Sequence, residues 1–88
     1  MTDVAAVDSQ RFDRPKVRLA GDRGLLVEFG NAITPEINQS VRAMTFALEA
    51  AAVPGVREVI PTYRSVVVVY DPLTTHPSLL STRILSLY

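Results

Sequence analysis

The sequence contains no cysteine and a single histidine. Without cysteine there is no disulfide framework, no thiolate zinc site and no cysteine nucleophile. One histidine without clustered carboxylates does not make a metal site. Charge of one sign is not in excess either: nine Lys and Arg balance nine Asp and Glu. A nucleic-acid binder normally shows a basic surplus or stripe, so this balance argues against a nucleic-acid partner. No apolar run approaches the roughly 20 residues that span a bilayer, so no membrane partner is expected. Residues 1–14 carry Asp3, Asp8, Asp13, Arg11 and Arg14 and no apolar segment, which is not a secretory signal. The expected location is the cytoplasm.

What is present is enough for one core. The 88 residues fit a single domain, and 48% of them are hydrophobic. A chain of this size buries only about 60–65% of its unfolded surface, so its stability is modest. Residues 1–14 read as a polar, aperiodic tail ending at Pro15, and residues 15–88 as the domain. Val17 and Leu19 alternate with Lys16 and Arg18, the period of a half-buried strand. Gly21-Asp22-Arg23-Gly24 is a turn, and Leu25, Val27 and Phe29 then alternate with Leu26 and Glu28. Residues 16–29 are therefore a predicted hairpin. Thr34-Pro35-Glu36 has the chemistry of a helix start: a capping hydroxyl, a proline at the first position and a carboxylate at the positive end of the dipole. Ile37, Val41, Met44 and Leu48 follow on one stripe, and Pro54-Gly55 ends the helix. Residues 56–60 form a short strand, residues 61–64 a turn, and residues 65–70 a strand that is almost wholly β-branched or aromatic. Asp71-Pro72 stops it. His76-Pro77 opens a second helix with Leu80, Ile84 and Leu87 on one stripe. The order β-β-α-β-β-α predicts an α+β two-layer sandwich, a four-stranded antiparallel sheet with both helices on one face.

The valine run raises a question about the other face. Val67 and Val69 point one way along the strand, Val66 and Val68 the other. With helices on one side only, one pair faces outward. Leaving two valines exposed forgoes roughly 1.5–3 kcal/mol each. Val66 and Val68, extended by Leu26, are the expected outward set and the candidate docking face. The competing reading is a central strand with scattered surface apolar residues.

Other candidates for chemistry are few. His76, between Thr75 and Pro77, reads as a helix entry before a ligand or base. Ser65 has no base beside it in sequence, as a serine nucleophile requires. Gly21-Asp22-Arg23-Gly24 lacks the Gly-Lys-Ser/Thr ending of a phosphate loop and no helix follows it, so no nucleotide cofactor is expected on this chain. Its Asp22 and Arg23 are candidate partner contacts. Tyr63-Arg64-Ser65 sets an aromatic and an arginine at a turn tip, residue types enriched at interface hot spots. Ordinary turn decoration is the alternative.

These residues carry a resemblance. Gly21 to Gly30, in order Gly-Asp-Arg-Gly-Leu-Leu-Val-Glu-Phe-Gly, resembles the opening Gly-Asp-x-Ala-Leu-Leu-Val-x-Phe-Gly block of a family of 5-oxoprolinase subunits. That family is also called allophanate hydrolase subunit 1 and includes the Kip-type inhibitor of a sporulation histidine kinase. A second block agrees: Pro54-Gly55-Val56, then Val59-Ile60-Pro61-Thr62-Tyr63-Arg64-Ser65, closing at Tyr70-Asp71-Pro72. The match spans residues 17–88. It departs at Gly24, where the family usually has Ala, and the expected effect is a looser turn. The resemblance implies an N-terminal domain of the same β-β-α-β-β-α order. In the family a cyclophilin-like β-barrel domain follows, and that domain is not in this sequence. It also implies a cyclophilin-like second subunit, a complex that opens 5-oxoproline or hydrolyses allophanate with ATP used by the complex, and in some members restraint of a histidine kinase. The expectation is a partner domain of an amidohydrolase complex, inactive in isolation and with no catalytic residue of its own. A kinase-inhibiting module and an inactive remnant are the alternatives, and a homo-oligomer is a further possible partnership. The predicted partner-binding residues are Asp22, Arg23, Leu26, Tyr63, Arg64, Ser65, Val66 and Val68.

Overall fold

A computed structural model describes residues 11–88; residues 1–10 of the expected tail lie outside the described residues. Strand β1 runs Arg11–Leu19 and β2 Gly24–Gly30. The strand thus begins five residues before the predicted Lys16, and residues 11–14 belong to it rather than to a tail. Proline is the reason the strand's start was hidden. Pro15 cannot donate to a ladder, and strands accept it at an edge or an irregularity. Here β1 is an edge strand whose pairing with β2 shifts between Arg11 and Lys16. Beyond that shift the ladder is regular, with Lys16 opposite Glu28, Val17 opposite Val27, Arg18 opposite Leu26 and Leu19 opposite Leu25. Gly24 does not loosen the turn. A Cβ there would stand 2.5 Å from the carbonyl oxygen of Ala20, so the bare glycine lets the chain close tightly.

Helix α1, Pro35–Ala51, is built as its residues dictate. Thr34 accepts a hydrogen bond from the Ile37 backbone N–H at 3.2 Å, and Ile37, Val41, Met44 and Leu48 are buried. The helix ends at Ala52, which takes the left-handed conformation at φ 48°. Gly55, at φ 88°, then turns the chain into β3, Val56–Pro61; a Cβ at Gly55 would meet Thr75 at 2.7 Å. Strand β4 is Ser65–Tyr70, and α2 is Pro77–Leu87. As expected, His76 opens α2: its Nδ1 accepts from the Ser78 N–H at 3.2 Å.

The sheet is antiparallel throughout, in the order β1-β2-β4-β3. Both helices lie on one face of it, and the core between the layers gathers Leu25, Val27, Phe29, Val66, Val68 and Tyr70 from the sheet with Ile37, Val41, Met44, Leu48, Leu80 and Ile84 from the helices. This is the predicted α+β two-layer sandwich. It also corrects the assignment of the valines. Val66 and Val68 are 0% exposed and form the floor of the core; Val67 and Val69 are the outward pair. Residues opposite one another in a ladder share a face. Val66 sits opposite Val27 and Val68 opposite Leu25, so the two valines follow the inward residues of β2. No described helix is long and apolar enough to cross a membrane.

Candidate interaction surface

The outward face of the sheet is assembled by register. One rung crosses all four strands: Arg18 on β1, Leu26 on β2, Val67 on β4 and Ile60 on β3. The next rung places Val69 between Gly24 and Glu58. Leu26, Val67 and Val69 are half-buried and Ile60 is 40% exposed. No described helix lies on this face. The result is an apolar strip across three strands, β2, β4 and β3, with polar groups on either side.

Those polar groups are polarised across the sheet. On the β1 side, Arg18 pairs with Glu28, and the Lys16 ammonium stands 4.2 Å from the Phe12 ring centroid. On the β3 side is Glu58, exposed and with no ion-pair partner among the described residues. A bulge between Val56 and Glu58 shifts the register there, and Arg57 turns to Asp71 at 2.9 Å.

The other predicted contact residues fall into two groups at opposite ends of the sheet. Asp22 and Arg23 lie in the β1–β2 turn, where the Arg23 carbonyl accepts from the Tyr70 N–H. Tyr63 and Arg64 form the β3–β4 turn at the other end, where the Arg64 carbonyl accepts from the Phe29 N–H. Tyr63 is 69% exposed and Arg64 is exposed. Ser65 is different: it is buried, and its Oγ lies 2.7 Å from the Thr62 hydroxyl, which closes the turn. It is a turn lock rather than a free contact group. Ile33, 71% exposed in the loop after β2, stands at the same end of the sheet as Tyr63. Sequence reasoning missed Val67, Val69, Ile60 and Ile33. The first two were signalled by Tyr70, which shares the phase of Val66 and Val68; a large aromatic at the strand's end favours the core.

Catalytic groups do not converge among the described residues. His76 Nδ1 is 2.8 Å from Ser78 Oγ, but that nitrogen caps α2 and no described carboxylate orients the ring. The Asp71 carboxylate is held below its ordinary pKa, first by the Leu73 N–H, then by Arg57 and Thr74. These bonds close the turn from β4 toward α2. No group of three or more metal-ligating side chains stands together among the described residues. An open groove of about 500 Å³ runs between the end of α1 and β3, lined by Leu48, Glu49, Val53, Val56, Arg57, Glu58 and Val59. Its two carboxylates outnumber its one guanidinium, which Asp71 already pairs, so it offers an anion no net attraction. The turn at Gly21 and Gly24 joins two strands, with no helix N-terminus to hold phosphate, so the residues do not fit ATP.

Comparison with known proteins places this geometry. Residues 15–88 match the family model described as carboxyltransferase domain, subdomain C and D. No curated protein matches. Among solved structures, a conserved uncharacterised protein from Pyrococcus horikoshii is similar at 30% identity and a TM-score of 0.77, over 82% of this chain and 33% of that one. The urea amidolyase of Kluyveromyces lactis is similar at 27% identity and a TM-score of 0.77, over 89% of this chain and 5% of that one. The N-terminal domain of the histidine kinase inhibitor KipI from Bacillus subtilis is similar at 26% identity and a TM-score of 0.65, over 83% of this chain and 81% of that one. The chain thus spans about a third of the Pyrococcus protein and a small part of the amidolyase.

Proposed function

Given that this chain belongs to the family of the carboxyltransferase domain, subdomain C and D, we propose that it is a partner domain of an ATP-dependent amidohydrolase assembly of the 5-oxoprolinase or allophanate hydrolase type. One observation carries the reading: a domain with its core packed between sheet and helices leaves the Leu26, Val67, Val69 and Ile60 face without a helix over it among the described residues. An apolar strip rimmed by polar groups is the form of a protein-protein contact. The similarity to an amidolyase supports the class of the assembly. Opening an amide requires a polarised carbonyl, a positioned water and a proton donor, and no such trio comes together in residues 11–88. Those groups, and the ATP site, belong to other parts of the assembly, among them a cyclophilin-like domain or subunit. The role of this chain is to dock, through the sheet face and through the end that bears Tyr63, Arg64 and Ile33. The test is co-expression with the second subunit and assay of ATP-dependent glutamate release from 5-oxoproline, with allophanate in parallel. Turnover that requires this chain supports the proposal; turnover of both substrates that is indifferent to it rejects the proposal.

A second reading is favoured by the match to KipI, where the similarity covers most of both chains. In that case the same surfaces restrain a sensor histidine kinase. Inhibition of kinase autophosphorylation by the purified chain, with no effect on amide hydrolysis, selects this reading.

A further inference from the structure

The outer sheet face has a feature that names its occupant. Its formal charges cancel, with Lys16 and Arg18 against Glu28 and Glu58, so it offers no net field to a charged partner. The charges are nonetheless segregated, cations on β1 and Glu58 on β3, the two edges of the sheet. Resting on the reading that this face is an interface, we infer that it is covered by a second copy of this chain, packed back to back about a two-fold axis that runs along the strands.

The choice of axis follows from the strand order. A two-fold along the strands lays β1 of one copy over β3 of the other, and β2 over β4. Arg18 then faces Ile60, one rung from Glu58, an offset of about 7 Å that an arginine side chain spans. Leu26 of each copy meets Val67 and Val69 of the other. A two-fold across the strands would instead set β1 over β1 and β3 over β3, placing Glu58 against Glu58 and Arg18 against Arg18. The face is therefore complementary to itself in one arrangement and repulsive in the other, as an isologous contact requires. Aligned packing of two sheets, rotated by about 30°, is a standard geometry. Four strands at ~4.8 Å and five residues at ~3.3 Å give about 320 Å² per copy in projection, below the ~800 Å² per partner of a standard interface. The dimer is accordingly a weak, reversible one. It leaves the Tyr63 and Arg64 end of the sheet free for the other subunit.

Sedimentation equilibrium of the full chain from roughly 10 μM, where a weak pair is dissociated, to about 1 mM tests this, alone and with the second subunit. The expected mass rises with concentration from 9.6 kDa toward twice that value. Arg18→Glu or Glu58→Lys alone should raise the dissociation constant at least tenfold, and the double reversal should recover most of the loss. A spectrum of secondary structure unchanged from the parent checks that each variant folds. A chain that stays at 9.6 kDa throughout, or single reversals without effect, overturns the second copy as occupant. If such a monomer still binds the second subunit and Leu26→Asp abolishes that binding, the face is an interface with a different occupant and the proposed function stands. If neither self-association nor binding of the subunit occurs, both the inference and the docking role fall.

Discussion

Exchanging valine for threonine at positions 67 and 68 separates the two faces of β4 with side chains of nearly the same shape. Val68 is 0% exposed, between Leu25 on β2 and Val59 on β3, under the helices. Threonine there exchanges a methyl for a hydroxyl with no partner in an apolar core. A buried unsatisfied polar group costs about 1–3 kcal/mol, and the lost apolar transfer adds about 0.8 kcal/mol. Val68→Thr should therefore cost about 2–4 kcal/mol. In a domain of this size each 1 kcal/mol moves Tm by about 4–8 °C, so the melting point should fall by about 8–30 °C. Val67 is half-buried on the outer face, where the hydroxyl reaches water. Val67→Thr should stay within about 0.5 kcal/mol of the parent at concentrations where the chain is monomeric. Thermal unfolding followed by far-ultraviolet circular dichroism measures both. Equal losses, or a larger loss at position 67, would refute the assignment of the strand's faces.

Four further outcomes are expected. Ala52→Gly relieves a left-handed alanine at the end of α1 and should stabilise the chain by about 0.5–1 kcal/mol in urea titration. Gly55→Ala combines φ 88° with a Cβ 2.7 Å from Thr75, and should cost at least ~1–2 kcal/mol in the same titration. His76→Ala removes the side chain that accepts from the Ser78 N–H and should cost about 0.5–2 kcal/mol, with His76→Asp recovering most of it. Because the folded-state pKa of Asp71 is depressed, its contribution is present above the ordinary carboxylate range and is lost as pH falls below about 4. Urea midpoints at about pH 7 and about pH 3, on either side of that range, should differ less in Asp71→Asn than in the parent.

Much of the fold was legible because local chemistry and tertiary structure agree in it. The Thr34-Pro35-Glu36 start, the Ile37, Val41, Met44 and Leu48 stripe and the His76-Pro77 entry each specify a helix by themselves, and each helix forms there. The start of β1 was not legible, because Pro15 reads as a boundary until an edge position and a shifted register accommodate it. The partner surface was legible in kind but not in phase. Four consecutive valines carry no mark of their own for the outer side; Tyr70 shares the phase of Val66 and Val68, and the pairing of Val66 with Val27 and of Val68 with Leu25 fixes that pair as inward. Ser65 illustrates a second limit. Alternation places it outward with Val67, yet Thr62 folds over it and takes its hydroxyl. The turn residues Tyr63 and Arg64 were found from residue type alone, since exposed tips need no tertiary information. Ile33 escaped notice because a single apolar residue in a loop carries no periodicity.

The chain's lack of cysteine allows the central claim to be read from a single thiol. Ile60→Cys places a reporter on the outer sheet face, and Leu73→Cys, at a position 95% exposed in the loop before α2, serves as the control. Labelling rates are compared for the dilute chain and for the assembly formed with the second subunit at high concentration. The account predicts at least tenfold slower labelling at position 60 on assembly, with position 73 unchanged. Equal rates at position 60 in the dilute and assembled states would contradict it.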